Sequence, residues 1–447
     1  MLLFAIAVVL AAYASVGLGL RGRLPGLSAG ILVFAVLALG GHVAVRRYAP
    51  YADPLLLPLA ALLNGLGLVM IYRLQQSGRN GNPGLQVTDM SSSAVTTQLL
   101  YTGVGIVALV VTLVLISEAR KLQRYTYTLG AVGLVLLAIP ALLPDSHSSV
   151  NGAKVWIIVG GFSVEPGEFA RLALAVAFAG YLVAKREVLA LAGRRVLGIT
   201  FPRARDLGPV LIAWGLSLLL LIFETDIGQA ALFFGLFVVM LYIATQRTSW
   251  LLIGLLLFLA GAGLTALLFH HVMERFTIWL HPFQGSNPTG SSFQLVQGLE
   301  GMAFGGLFGT GLGQGQPYHT PLVQSDFIFT AFGEELGLVG VMALLLIFGL
   351  LVQRGLRAAL AVNDPFSKLL AGGLSFVLAL QVFVIVGGVS GLIPLTGITT
   401  PFLSQGGSSL AASWILIGLL IRVSDTARGP APQPIQDEGM TQVVRAG

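Results

Sequence analysis

Cysteine is absent from this 447-residue chain, so neither disulfides nor thiolate metal sites contribute, and the redox compartment leaves no mark. Charge is nearly as scarce. Asp, Glu, Lys and Arg make up 10% of the residues against 55% hydrophobic ones, and mean hydropathy is +0.87. A soluble domain of this length needs far more charge to cover its surface, which excludes a string of soluble domains and leaves the bilayer as the natural solvent. A net charge of +6 and a pI near 9.7 would suggest nucleic acid in a soluble protein. Here the position of the charges accounts for them, and no nucleic-acid partner is expected. No internal repeat is evident in the sequence.

What the chain has is apolar runs. A span needs roughly 20 such residues to cross about 30 Å of hydrocarbon, and its backbone must be satisfied internally, so the spans are helices. The expected fold is all-α and polytopic, with twelve spans near 2–19, 26–45, 53–72, 96–117, 127–145, 166–183, 209–223, 228–245, 249–269, 326–352, 367–389 and 405–421. The first lacks a basic segment before it and is followed quickly by two more, so it reads as a retained span and not a secretory signal. With both termini cytoplasmic, eighteen of the 25 Lys and Arg fall inside and six outside, with Arg171 within a span. That orientation places segments 73–95, 146–165, 270–325 and 390–404 outside. The basic loop 185–208 lies inside, facing anionic headgroups. Residues 423–447, polar and proline-containing, read as a disordered cytoplasmic tail.

The stretch from Trp279 to Ser325 departs most from hydrophobic monotony. It is a long polar, glycine-rich segment on the expected outer face, in a body otherwise joined by short loops. Its glycines, Gly305, Gly306, Gly309, Gly311, Gly313 and Gly315, can bring backbone N–H groups to phosphate oxygens. No GK[ST] follows and no strand precedes, so this is no P-loop, and tight packing of a re-entrant segment explains it equally well.

Ionisable groups in or beside a span each require a reason. Glu168 and Arg171 stand at i, i+3 and read as an ion pair, either fixing helix packing or meeting a charged headgroup. Lys154 and Trp156 lie just before them. An interfacial Trp is ordinarily an anchor, but beside Lys154 it can cover a lipid-linked phosphate. Glu224 and Asp226 sit at a narrow outer turn, hydrated or lining a cavity. Asp326, Glu334 and Glu335 open the tenth span, more acids than packing needs. In TTPFLSQGGSS (399–409), Ser404, Ser408 and Ser409 can cap a helix start, and the same N-terminus with Gly406 and Gly407 is an anion site.

Together these segments resemble the SEDS family, the polytopic shape, elongation, division and sporulation proteins. NGAKVW, EPGEFAR, FETDIG, SDFIFTAFGEELG and PLTGITTPFLSQGGSS are similar to that family's motifs, in its order, over residues 53–422. Two spans in residues 1–52 ahead of a ten-span core look like the longer rod-shape members of actinobacterial type. The resemblance implies a peptidoglycan glycosyltransferase that polymerises lipid II into β-1,4 glycan at the outer face of the cytoplasmic membrane, with a class B penicillin-binding protein as crosslinking partner. Lys154, Trp156, Glu168, Arg171, Asp226, Gln294, Gln297, Asp326, Glu334, Glu335, Ser404, Gly406, Gly407, Ser408 and Ser409 are then the expected substrate contacts. Such chemistry needs a base for the sugar hydroxyl and cations or N–H donors for the departing pyrophosphate.

The chain departs from the family where its essential aspartate belongs, placing Asn287 there. An amide cannot take the proton as a carboxylate does. Residues 281–299 hold no acid, and Glu274 and Glu300 flank them. Glu300 is therefore the candidate displaced base. Smaller departures are Glu165 for Gln, Arg171 for Lys and Gln405 for Tyr. No cofactor is required by this reading, a divalent cation stays open, and no His/Asp cluster with metal-ligand spacing is visible. Two other readings remain: a catalytically inactive paralogue that scaffolds a penicillin-binding protein, and a lipid II flippase. Transporters set their sites near the midplane of repeated halves, which this chain does not resemble.

Overall fold

A computed structural model describes residues 1–21, 29–79, 93–148, 154–159, 162–189, 195–196, 199–200, 227–284 and 290–430, with scattered positions between 208 and 219. Helices run as α1 (Leu2–Arg21), α2 (Ala29–Tyr48), α3 (Leu56–Arg79), α4 (Ala94–Leu115), α5 (Thr126–Leu142), α6 (Pro166–Leu189), α7 (Ile227–Thr245), α8 (Ser249–Leu268), α9 (His270–Leu280), α10 (Phe293–Gly305), α11 (Ile328–Ala361), α12 (Pro365–Val389) and α13 (Gly407–Arg428). A hairpin of β1 (Ile157–Val159) and β2 (Phe162–Val164), pairing Ile157 with Val164, precedes α6.

Among the described residues, eleven helices are long and apolar enough to cross a membrane. All but α9 and α10 belong to them, and each corresponds to an expected span. The remaining expected span, 209–223, lies almost wholly outside the described residues, as do Asn287, Glu224, Asp226 and the tail beyond 430. The most enclosed helices are α13, α3 and α12; α8 and α5 are the least. Helices built from Leu, Ile, Val, Phe and Ala on every side can sit centrally or face lipid, so periodicity does not rank them.

Three boundaries differ from expectation. Much of 270–325 is helical: α9 and α10 lie within it, and Leu295 and Val296 are buried against the body. The last helix runs six residues past 422, to Arg428. Its end is held by an ionic knot. The Arg428 guanidinium meets Asp53 at 2.8 Å, Arg354 approaches the same carboxylate at 3.6 Å, and Arg422 bonds the carbonyls of Tyr48 and Leu113. Finally, α3 runs on to Arg79, so Arg73 is a buried helical residue and not the first residue of an outer loop.

One helix is broken. At Gly337 (φ 67°, ψ −170°) α11 leaves helical geometry, which would strand carbonyls and N–H groups inside a membrane protein. The glycine segment satisfies them. Thr310 and Gly311 donate their N–H groups to the carbonyls of Glu334 and Glu335 at 3.0 and 2.9 Å. Leu338 and Val339 donate to the carbonyls of Gly306 and Leu307 at 2.9 and 3.1 Å. Two backbones this close leave no room for a side chain, and a Cβ at Gly309 or at Gly337 would overlap the opposite strand.

Candidate functional site

Opposite the ionic knot, a second set of polar groups gathers at the other end of the bundle, where the ends of α3 and α12 meet the starts of α4, α6, α7, α11 and α13. Most of the contacts join segments remote in sequence. Arg171 on α6 pairs with Glu168 one turn before it and donates to Oε1 of Gln381 on α12 at 3.1 Å; all three side chains are buried. Gln381 in turn donates from Nε2 to the carbonyl of Thr399 at 3.0 Å. Glu165, just before α6, receives a bond from Gln229 Nε2 on α7 at 2.6 Å. Its own N–H donates to Ser408 Oγ at the start of α13, 3.1 Å away. Gln98 on α4 donates to the carbonyl of Ser404 at 3.2 Å.

Ser404 is the hinge of the turn before α13. Its hydroxyl accepts from the Thr400 N–H at 2.8 Å and donates to the carbonyl of Ser325, while Gln405 N–H reaches the carbonyl of Gln324 at 2.8 Å. The turns 322–326 and 399–406 are thereby locked together. Around them the buried side-chain atoms Gln98 Oε1, Gln324 Oε1, Thr399 Oγ1, Thr400 Oγ1 and Ser409 Oγ have no protein partner. An unpaired polar atom kept from water costs roughly 1–3 kcal/mol. Gly407 is pressed by the Tyr101 ring, which a Cβ would meet at 2.8 Å.

A second cluster adjoins the break in α11. Arg73 on α3 meets Oε1 of Glu335 at 2.7 Å and the carbonyl of Gly315 at the same distance. The N–H of Gly313 donates to Glu335 Oε2 at 3.0 Å, and the N–H of Gln316 donates to Glu334 Oε1. The amides of the glycine segment thus bind an anion, but it is the chain's own pair of carboxylates. The packing reading of the glycine series prevails here over the phosphate cradle.

The remaining expected residues lie nearby. On α10, Gly298, Gly301 and Gly305 face the start of α11, and a Cβ at Gly301 would come to 3.0 Å from Glu334 Oε2. Also on α10, Gln294 donates to the carbonyl of Pro321 at 3.0 Å, and Gln297 donates to Glu300 Oε2 at 2.9 Å. Glu300 is exposed. Lys154 and Trp156 are half-buried on the way into β1, and the Trp156 N–H donates to the carbonyl of Ser148. Asp326 is half-buried beside Ser325, whose hydroxyl donates to it at 2.9 Å. Burial pushes its carboxyl up to about 6, against the opposing pull of the Ser325 hydroxyl and the Arg275 charge. Arg275 sits on α9, which is fastened over this end by Arg275 to the carbonyl of Leu395 (2.9 Å) and Trp279 Nε1 to that of Gly391 (2.8 Å). Among the described residues no group of three His, Asp or Glu could hold a metal ion.

Sequence reasoning missed Arg73, Gln98, Gln229 and Gln381. A signal was available: a lone amide or guanidinium in an apolar run must find a partner, because hydrocarbon offers none.

A multi-pass membrane protein with a wired polar end, a broken helix and a glycine strap is the class these features define. The model of the FtsW/RodA/SpoVE cell cycle proteins matches residues 54–429, and the chain belongs to that family. It is 49% identical over 399 residues to peptidoglycan glycosyltransferase RodA of Mycobacterium tuberculosis, covering 89% of this chain and 83% of that protein. It is 33% identical to stage V sporulation protein E of Bacillus subtilis, covering 84% of this chain and 98% of that one. A chain from a solved peptidoglycan synthase complex, described as coordinating polymerization and crosslinking, superposes with a TM-score of 0.56 at 27% identity, covering 90% of this chain and 98% of that chain.

Proposed function

We propose that this protein is a peptidoglycan glycosyltransferase that polymerises lipid II into β-1,4 glycan at the outer face of the cytoplasmic membrane. The observation that carries the proposal is the convergence of five helix ends on one polar surface, through Arg171–Gln381, Gln229–Glu165–Ser408 and Gln98–Ser404. A lipid-anchored sugar phosphate needs such a surface at the membrane boundary, with charge and N–H donors held before the substrate arrives. The excess of Lys and Arg at the opposite ends of the spans supports an outward orientation, with both termini cytoplasmic.

An apolar cleft of about 500 Å³ supports a polyprenyl substrate. It lies between α7, α8 and α12 beneath Phe276 and Trp279 of α9. Its upper rim includes Pro394 and Thr396, on the turn that leads to Thr399. A hydrocarbon chain in the cleft would bring its headgroup to the polar end. In this reading the Lys154 and Arg171 charges and the start of α13 face the pyrophosphate, and Glu300 takes the proton of the attacking hydroxyl. The relation to the peptidoglycan synthase complex supports a class B penicillin-binding protein as partner.

Purified protein incubated with labelled lipid II, with and without its partner, tests the proposal. Glycan ladders are expected. If neither condition yields them while Asn287→Asp does, the chain is instead an inactive member that serves as a scaffold.

A further inference from the structure

The family match begins at residue 54, so α1 and α2 stand outside it. Their packing is too intimate for added membrane anchors. Helix α1 lies along α3, where Val9 and Phe34 fill the space above Gly65; a Cβ there would meet Val9 Cγ1 at 2.9 Å and Phe34 Cζ at 2.8 Å. The Tyr13 ring packs tilted against that of Tyr72, centroids 5.0 Å apart, immediately before Arg73. Val9, Tyr13, Val16, Ile31, Phe34, Leu68 and Val69 form a core of their own, and Leu312 of the glycine segment packs into it.

The last two turns of α1 touch that segment backbone to backbone. A Cβ at Gly19 would overlap the Leu312 carbonyl, and one at Gly313 would come to 2.9 Å from the carbonyl of Val16. Gly313 has φ 88°, which only glycine adopts freely. On its other side the same segment lies against the break in α11, where its amides hold the carboxylates of Glu334 and Glu335. The strap 305–316 is therefore gripped between an element inside the family core and one outside it.

We propose that α1 is a positioning element of the outer site: by clamping the glycine strap from the side opposite α11, it fixes the strap amides that orient Glu334 and Glu335. The clamp acts through the strap and does not itself touch substrate. Enlarging Gly19 must push the Leu312 carbonyl away, loosening the strap while leaving the helices of the core in register.

The effect on turnover rests on the glycosyltransferase reading; the effect on the strap does not. The test therefore uses full-length Gly19→Val, with Gly40→Val as control, since a Cβ at Gly40 of α2 meets nothing. Amide hydrogen exchange is read at Thr310, Gly311 and Gly313, and polymerisation of labelled lipid II is measured in parallel. Gly19→Val is expected to speed exchange of those amides at least tenfold, with unchanged exchange in α12 and α13, and to lower kcat more than KM. Gly40→Val should match the parent chain in both. If Gly19→Val fails to fold, Gly19→Ala is expected to show the same pattern more weakly. Parent-like exchange at the strap in a folded Gly19 variant overturns the clamp, whatever the activity. Loosened exchange with unchanged turnover overturns the positioning role.

Discussion

Arg73 and Glu335, 262 residues apart in sequence, meet at 2.7 Å with both side chains buried. Their contact ties the end of α3 to the break in α11, and Arg73 also holds the strap through the carbonyl of Gly315. The pair replaces water for two charges that the bundle interior could not otherwise keep.

Removing one member leaves the other charge buried and unpaired, which typically costs about 3–5 kcal/mol. Arg73→Met and Glu335→Gln should each lower thermal stability in detergent sharply, while the double variant loses much less than the two effects added. A double-mutant cycle on melting temperature measures this. Additive losses would show that the two side chains do not depend on one another.

At Gly337 the positive φ and the neighbouring Gly309 N–H together exclude a side chain. Gly337→Ala is expected to destabilise the protein by about 2 kcal/mol or more, since strain and overlap act together. Gly349, further along the same helix, has open space around it, and Gly349→Ala should be neutral or mildly stabilising. Unfolding of the two variants side by side decides it.

Asp326 supplies a pH dependence with a defined sign. Its carboxyl, at about 6 in the folded chain and near 3.8 when exposed, binds its proton more tightly folded than unfolded. Its stabilising contribution is complete below about pH 4 and fades as pH rises through 6, a difference of up to about 3 kcal/mol. Asp326→Asn should remove that component, so the melting temperatures of variant and parent diverge between pH 4.5 and 7. Parallel curves across this range would place the titration elsewhere.

Arg171 forks between Glu168 and Gln381, a geometry that an ammonium cannot reproduce. Arg171→Lys is expected to keep partial polymerisation, and Glu168→Gln to lower it by roughly ten- to a hundredfold, the equivalent of one or two charge-assisted hydrogen bonds. Initial rates on labelled lipid II give the ranking.

Glu300 and Asn287 can be separated by substitution. With Glu300 as base, Glu300→Gln should lower the rate by about a hundredfold or more while leaving the melting temperature unchanged, because its side chain is exposed and bonds only Gln297 among the described residues. An unaltered rate assigns Glu300 to the surface.

Much of this molecule could be read from its residue order. Hydrocarbon demands long apolar helices, so composition and run length alone specify a polytopic bundle, and the i, i+3 spacing of Glu168 and Arg171 specifies their pairing. The motif residues near 165, 326–335 and 399–409 were recognisable because their polarity interrupts apolar runs. What the tertiary structure decided is who meets whom. Arg73 looked like a loop residue because a guanidinium after an apolar run ordinarily marks a span's end; only Glu335, brought in by a distant helix, makes its burial tolerable. The glycine segment was open to two readings for the same reason: glycine permits close approach but does not say to what. The fold answered with the broken backbone of α11 on one side and α1 on the other, since contacts between remote segments arise from packing in three dimensions, which no local pattern encodes.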